Sequence, residues 1–259
     1  MRAYGRIKVA RAQGVETITL NNPDKRNAIG PRMTNELLWA LSDVLESDEV
    51  RSVVITGEGK AFCSGGDFGE MAAGAAPSDL PYLGDYADLL FALVRCDKPV
   101  VARVNGLAMG GGLGIVAAST FAVATTDVRL GTPEINAGLF PMMIMAVLAR
   151  QVPRRRLLQM MLLGETFEAG EALRLGLLNE VVEQGALDGA VKRITDGIAS
   201  KSPSTVRLGL RAFGAQDDLD LASALPLLRE RFAECIGTDD AREGLMAFLQ
   251  KRPPTWTGK

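Results

Sequence analysis

The chain has 259 residues, of which 47% are hydrophobic and 23% charged, and its net charge is −2. These proportions are ordinary for a globular protein with a large core, and so small a net charge argues against general nucleic-acid binding. The chain contains no histidine, which excludes Ser-His-Asp and Cys-His catalytic machinery and imidazole metal sites. Proton transfer must therefore use carboxylates, lysine, tyrosine, cysteine or water.

The three cysteines, Cys63, Cys96 and Cys235, stand far apart in the sequence, which indicates reduced thiols in a cytoplasmic protein. Cys63 has no partner at zinc-site spacing, so we interpret it as a small turn residue and expect no metal. The first residues lack the apolar core of a signal peptide. The longest apolar run, 137–149, is too short to span a bilayer. We therefore expect a cytoplasmic protein with no membrane partner.

The first half of the chain alternates between strand and helix patterns. Buried or half-buried strands are predicted at 15–20, 51–57, 98–103 and 121–125, and helices at 31–45 and 87–94. This alternation is typical of an α/β fold. Residues 71–85 are rich in small residues and show no clear period, so we expect a mobile loop there that could act as a lid.

The second half is largely helical. Helices are predicted at 142–149, 156–163 and 169–175, followed by a short strand at 178–182 and about four helices between 186 and 250. The division that we expect is an α/β core over 1–195 and a helical region over 196–259. The helical region would serve self-association.

A glycine-rich stretch stands at the centre of the chain, with four glycines between Gly110 and Gly114. It follows a β-branched run and precedes an apolar one, which predicts a strand, a glycine turn and a helix. The free N–H groups at a helix start bind negative charge, although glycines can also serve close packing alone. The charge could be a dinucleotide pyrophosphate, since 112–117 fits G-x-G-x-x-A. That pattern also needs an acidic residue at the end of the next strand. Glu134 has about the right spacing, but it follows a proline, which cannot donate a hydrogen bond within a sheet. Alternatively, the charge could be an oxyanion that forms during a reaction.

Three segments bear on this choice: Ala61-Phe62-Cys63-Ser64-Gly65-Gly66-Asp67, the stretch Val104-Asn105-Gly106 through Gly112, and Pro133-Glu134 with Gly138-Leu139. In this order and spacing they resemble the crotonase superfamily, also called the enoyl-CoA hydratase/isomerase family. The resemblance extends from 22 to 249. It implies an α/β crotonase-like fold of repeated ββα units with C-terminal helices that build trimers, often paired as hexamers. It also implies an acyl-CoA substrate and no separate cofactor, because CoA is part of the substrate.

The resemblance implies roles for particular residues. The backbone N–H groups of Gly66 and Gly111 would form an oxyanion hole for a thioester enolate, and Glu134 would transfer protons. The family's other glutamate position is Gly114 here. A single carboxylate can move a proton between two carbons, so this departure favours isomerisation of a 3-enoyl-CoA to a 2-enoyl-CoA. Hydration of a 2-enoyl-CoA, as in fatty-acid degradation, stays open because Asp67, Glu70 or a loop residue could hold the water.

Further positions are carried over as substrate-binding by their place in the motifs. They are Lys25, Arg26, Ala28, Lys60, Ser64, Asp67, Phe68 and Met142. Two alternatives from other classes remain open: a Rossmann NAD-dependent dehydrogenase and a non-catalytic crotonase-like scaffold that binds RNA or a protein. The sequence does not give the acyl chain length or the pathway.

Overall fold

A computed structural model describes residues 2–74 and 80–259. The strands are β1 Ile7–Ala12, β2 Val15–Leu20, β3 Ser52–Gly57, β4 Ala61–Cys63, β5 Val100–Val104, β6 Leu107–Met109, β7 Phe121–Thr125, β8 Arg129–Gly131, β9 Thr166–Glu168 and β10 Glu180–Val182. The α-helices are α1 Pro31–Glu46, α2 Phe68–Ala72, α3 Tyr86–Val94, α4 Gly111–Ala118, α5 Met142–Leu148, α6 Arg154–Leu163, α7 Ala169–Arg174, α8 Leu187–Ala199, α9 Pro203–Gln216, α10 Leu221–Ile236 and α11 Asp239–Gln250.

Two sheets run through the core. The larger has the order β1-β2-β3-β5-β7-β10, antiparallel at β1–β2 and parallel elsewhere. The smaller has the order β4-β6-β8-β9, antiparallel only at β8–β9. The pairs β3–β4, β5–β6 and β7–β8 each place their first strand in the larger sheet and their second in the smaller. A helix or 3-10 turn follows each pair, which gives the repeated ββα units that the resemblance implies.

The central strands of the larger sheet, β3, β5 and β7, are buried on both faces. Because successive side chains alternate between faces, Val53 and Ile55 of β3 enter the main core and Val54 enters a second, smaller core. The helix α8 closes this second core with Leu187 and Val191. All six residues of β3 are buried, which explains why its sequence reads as a continuous apolar run.

Most predicted elements are confirmed, and the errors concern short or amphipathic segments. The strand β1 was not predicted, and neither were the three-residue strands of the smaller sheet. Three residues are too few to show a period. For the same reason, our interpretation of Cys63 as a turn residue is wrong: it ends β4 and is fully buried. Burial raises the pKa of its thiol to about 12, so Cys63 is not a reactive thiolate.

Two further expectations concern the loop over 71–85 and the division of the chain at residue 195. The predicted loop over 71–85 begins later than expected, because α2 extends to Ala72, and its residues 75–79 lie outside the described residues. Its mobility stays a prediction. The division at residue 195 falls inside α8, which packs on the larger sheet through Leu187 and Val191. Whether the helices beyond it form a separate oligomerisation region also stays a prediction.

The last three helices expose large apolar side chains. Phe232 of α10 is 65% exposed and Phe248 of α11 is 80% exposed. Others on the same helices are Phe213, Leu221, Leu225, Ile236, Leu245, Met246 and Leu249. In the described parts of the chain, none of the helices combines the length and apolar character that a membrane span requires.

Candidate active site

The glycine stretch forms a tight turn from β6 into α4. Gly110 adopts a left-handed backbone with φ of 49°, and its N–H donates to the carbonyl of Gly131 at 2.9 Å. Gly111 is the first residue of α4, so its N–H has no partner within the helix. No described residue outside the helix accepts a hydrogen bond from it either. The turn therefore presents a free donor at the start of a helix.

A second free donor lies in the loop after β4. Ile29 is bonded on both sides of Gly66: its N–H donates to Gly65 at 2.8 Å, and its carbonyl accepts from Asp67 at 2.9 Å. The N–H of Gly66 itself donates to no described residue. A Cβ placed on Gly110 would be 3.6 Å from the Cα of Gly65, so the two loops touch. The structure thus brings together the segments that carry Gly66 and Gly111, as an oxyanion hole requires.

Glu134 lies beside this pair of loops, on a 3-10 turn over Pro133–Ala137 that follows β8. Its Oε1 is 2.6 Å from where a Cβ on Gly110 would stand. Its Oε2 is buried and has no hydrogen-bond partner among the described residues. Burial raises the pKa of the Glu134 carboxyl above its ordinary value. A carboxylate that is short of hydrogen bonds and poised above its usual pKa is suited to accept and return a proton.

Gly111 and Glu134 line a cavity of about 540 Å³, a size that suits a small organic ligand. Gly66 is not among its lining residues, although Phe68 and Met71, which lie next to Gly66, are. Four residues predicted for the site line it, namely Phe68, Gly111, Glu134 and Met142. Other apolar lining residues are Ile29, Met71, Leu139, Phe140, Pro141, Met143 and Ile144. The cavity therefore has a largely apolar wall that includes the Glu134 carboxylate and the first residue of α4.

The other predicted substrate-binding residues do not line this cavity, and four of them form a cluster beside it. The Lys25 ammonium donates to Asp67 at 2.7 Å, the Ser64 hydroxyl donates to the Lys25 carbonyl at 3.1 Å, and the Ser64 N–H donates to Arg26 at 3.0 Å. Asp67 is buried and also accepts from the N–H of Glu70 at 3.1 Å, as the N-cap of α2.

The remaining two predicted positions lie apart from that cluster. Ala28 is buried next to Ile29, which does line the cavity, and Lys60 is exposed in the turn before β4. A CoA-binding role for Lys25, Arg26, Ala28, Lys60, Ser64 and Asp67 stays a prediction.

Sequence reasoning missed two residues that shape the site. Asn27 is buried with φ of 56°, and its side-chain amide donates to Glu58 at 2.9 Å and Ala61 at 2.8 Å. This clamps the loop that carries Ile29. Tyr86, the first residue of α3, lines the cavity and donates its hydroxyl hydrogen to the carbonyl of Gly111. A tyrosine at a helix start carries no sequence signal of such a role. The tolerance of asparagine for positive φ was the one available hint for Asn27.

Comparison with known proteins decides the family. The sequence model described as enoyl-CoA hydratase/isomerase matches residues 10–259. The chain belongs to the enoyl-CoA hydratase/isomerase family. It is 36% identical over 255 residues to the rat protein named enoyl-CoA hydratase domain-containing protein 3, mitochondrial, covering 97% of this chain and 85% of that protein. It is 32% identical over 241 residues to a short-chain-enoyl-CoA hydratase of Clostridium acetobutylicum, covering 92% of each.

Solved structures of enoyl-CoA hydratases share the fold. The enoyl-CoA hydratase of Mycobacterium smegmatis superposes with a TM-score of 0.89 at 36% identity, covering 97% of this chain and 99% of that one. The human enoyl-CoA hydratase domain-containing protein 3 superposes with a TM-score of 0.88 at 34% identity, covering 97% and 100%. The expected crotonase-like fold is thereby confirmed.

Membership of the enoyl-CoA hydratase/isomerase family removes the alternatives from other classes. The dinucleotide-binding interpretation is wrong, because Gly112 and Gly114 lie inside α4 rather than in the turn that precedes it. A Cβ on Gly112 would be 2.5 Å from the Cys63 carbonyl, so this glycine serves close packing of α4 on β4. The chain is an enzyme of this family, an enoyl-CoA isomerase or hydratase, rather than a binding scaffold.

Proposed function

We propose that this enzyme isomerises a 3-enoyl-CoA to a 2-enoyl-CoA, with Glu134 as its single proton carrier. The observation that carries the proposal is the placement of Glu134, which lines an apolar cavity together with Gly111 and has one buried, unpartnered carboxylate oxygen. Asp85 is the other carboxylate among the described lining residues. It is exposed and accepts from the N–H groups of Ala87 and Asp88 as the cap of α3. The Asp85 carboxylate is therefore already engaged in capping α3 and is not a second proton carrier.

The proposed reaction needs one base and one oxyanion site. The Glu134 carboxylate takes a proton from the α carbon of the thioester, and the electrons of that C–H bond move into a dienolate. The N–H groups of Gly66 and Gly111 donate to its oxygen, a type of contact whose loss typically costs about 10²–10³ in rate. The protonated Glu134 then returns the proton to the γ carbon, and the double bond shifts to the α,β position. No atom is gained or lost, so the step needs no cofactor.

Hydration is the second candidate, and the names of the relatives favour it, since several are called enoyl-CoA hydratases. Hydration needs a second group that holds the water. Of the two named residues that could hold it, Asp67 is engaged by Lys25 and by the N-terminus of α2. The Glu70 carboxylate accepts from the N–H of Arg32 at 3.1 Å, at the start of α1. Both carboxylates therefore have structural partners, which supports isomerisation over hydration.

The remaining expectations complete the proposal. The substrate is an acyl-CoA thioester in a fatty-acid type of pathway, and no nucleic acid or membrane takes part. The protein acts in the cytoplasm, although the rat relative is by its name mitochondrial. The assembly is a homotrimer or a dimer of trimers, and the exposed apolar side chains of α9, α10 and α11 support self-association.

Product analysis with 2-enoyl-CoA and 3-enoyl-CoA thioesters tests the proposal. We expect the wild type to isomerise the 3-enoyl substrate faster than it hydrates the 2-enoyl one. Glu134→Gln should lower kcat for isomerisation by about 10²–10⁴, the usual contribution of a positioned acid or base. Glu46→Gln is the matched control, because Glu46 is exposed at the end of α1. Rapid hydration without isomerisation, or full turnover by Glu134→Gln, would contradict the proposal.

A further inference from the structure

Tyr86 reaches across the cavity to the first turn of α4. Asp85 and Asp88 form a capping box that fixes the start of α3, where Tyr86 is the first residue. The Tyr86 hydroxyl donates to the carbonyl of Gly111, the residue whose N–H is a predicted oxyanion donor. The helix that carries this donor is therefore tied to α3 through one phenol.

The same phenol fills the space beside Gly114. A Cβ placed on Gly114 would be 2.4 Å from the Tyr86 hydroxyl oxygen and 2.5 Å from the Cγ2 of Ile144. Contacts below about 3 Å do not occur for real Cβ atoms, so no side chain fits at 114 unless these two residues move. Tyr86, Ile144 and Glu134 line the same cavity. The space that a side chain at 114 would use is thus taken by the Tyr86 hydroxyl and the Ile144 side chain.

The phenol cannot replace a carboxylate as a base. Its hydroxyl hydrogen is given to the Gly111 carbonyl. Burial raises the pKa of Tyr86 well above its ordinary value of 10.0, and the nearby Glu134 carboxylate adds to the effect. Tyr86 is therefore neutral over the working pH range, and a neutral phenol is too weak a base to activate water.

We propose that Tyr86 determines the reaction specificity of this enzyme. Its hydroxyl end occupies the place beside Gly114 where a second carboxylate and its water would stand. Tyr86 thereby confines Glu134 to moving a proton between two carbons. The inference rests on the proposed function, which it deepens by naming a residue that keeps hydrating water out. It also explains why this chain combines a glycine at 114 with a tyrosine at 86. The Tyr86 side chain leaves no room for a side chain at 114, and a side chain at 114 would leave no room for the tyrosine.

Four variants of the full-length enzyme test this: Tyr86→Phe, Tyr86→Ala, Gly114→Glu and the double variant Tyr86→Ala with Gly114→Glu. The readout is the ratio of 2-enoyl-CoA hydration to 3-enoyl-CoA isomerisation, which a merely structural role of Tyr86 would not change. We expect Tyr86→Phe to change the ratio less than Tyr86→Ala does, because the ring stays and only the hydroxyl oxygen nearest to Gly114 is lost. In the double variant, the space that Tyr86 leaves lets Ile144 move away from the new side chain at 114. We expect this variant to raise the ratio by about 10² or more, as a positioned second base can. Gly114→Glu alone should gain no hydration, because Tyr86 still fills the space.

Tyr4→Phe and Tyr4→Ala are the matched controls. The Tyr4 hydroxyl donates to Asp43 at 3.2 Å, away from the cavity, so these variants lose the same atoms without opening the site. Thermal melting with and without an acyl-CoA shows which variants are folded and bind. If the double variant does not fold, the single variant Tyr86→Ala tests the proposal instead. It admits water beside Glu134, so its ratio of hydration to isomerisation should exceed that of wild type.

Either of two results would overturn the role of Tyr86. One is an unchanged ratio in the folded double variant, or in Tyr86→Ala if the double variant is unfolded. The other is as much hydration by Gly114→Glu alone as by the double variant. In both cases the wild type still isomerises 3-enoyl-CoA. Failure of the proposed function gives a different result, namely a wild type that hydrates 2-enoyl-CoA and does not isomerise.

Discussion

The Glu134 carboxylate rests against the backbone of Gly110, so that a Cβ on Gly110 would stand 2.6 Å from Oε1 of Glu134. The predicted base and the turn that starts α4, the helix of the predicted oxyanion donor Gly111, are therefore in direct contact. A glycine is needed at 110 for two reasons. It leaves room for the Glu134 carboxylate, and its φ of 49° disfavours any other residue. The position of the carboxylate depends on the absence of one methyl group.

Gly110→Ala should impair catalysis by displacing that carboxylate. We expect kcat to fall by about 10², because a shift of roughly 1 Å in a reacting group has an effect of this size. Gly176→Ala is the matched control: Gly176 also has positive φ, of 80°, but a Cβ there would meet nothing within 4 Å. Both variants should lose about 1–2 kcal/mol of stability from the left-handed backbone, and steady-state kinetics at saturating substrate should separate them. Equal kcat values for the two variants would contradict the contact that we describe.

The activity of the wild type should depend on the ionisation of Glu134. Because burial raises the pKa of this carboxyl above 4.5, kcat/KM for isomerisation should fall as the pH is lowered through a value above 4.5. Glu134→Gln should lack this step in its residual rate. A pH–rate profile of both proteins measures it, and an identical acid limb in the variant would assign the step to another group.

The same pKa shift makes a prediction about stability. A group with a raised pKa in the folded state favours folding fully at low pH, and this contribution is lost as the pH rises through the folded pKa. Glu134→Gln should therefore melt at a higher temperature than wild type at neutral pH, and the difference should vanish below the ordinary carboxyl pKa of 4.5. Calorimetry across this range tests it. A variant less stable than wild type at neutral pH would be the contrary result.

Asp67 should matter for stability through its cap on α2 and its ion pair with Lys25. Asp67→Ala should cost about 1–2 kcal/mol, the upper part of the range for a lost N-cap. Lys25 holds the pKa of Asp67 below 3.8, so this contribution is present above that pH and is lost as the pH falls through the lower folded value. Denaturant unfolding of wild type, Asp67→Ala and the exposed control Asp24→Ala measures the loss of unfolding free energy. The difference between wild type and Asp67→Ala should become smaller in acid. Equal stabilities at neutral pH would show that the contacts are not stabilising.

The proposed assembly should depend on the apolar surface of α11. Phe248 is 80% exposed in the single chain, and burying such a side chain contributes about 1.5–3 kcal/mol. Phe248→Glu should therefore weaken self-association, which light scattering after size-exclusion chromatography measures as a fall in molar mass. Gln250→Glu places the same charge at a polar position of the same helix and should leave the mass unchanged. A trimer or hexamer that persists in Phe248→Glu would place the interface elsewhere.

The amino-acid sequence by itself determined the α/β class, most helices and longer strands, and the motifs that identify the family. These are local features: the apolar period of α1, the continuous apolar run of β3 and the fixed order of three glycine-containing segments. They also singled out Glu134 and the unusual Gly114, because a motif fixes which residue type is expected at each place. The three-residue strands of the smaller sheet carried too few residues to show a period. The strand β1 is as long as β2 and was simply not predicted.

Only the tertiary structure decided what surrounds those residues. Tyr86 reaches Gly111 from 25 positions away, and Lys25 reaches Asp67 from 42 positions away. Such contacts depend on how helices and loops pack, and no local pattern records them. Packing also decided that Glu134 loses water on one oxygen and that Gly114 has no room for a side chain. The sequence thus named the candidate reacting groups, whereas the packing around them sets their pKa, their partners and the space left for water.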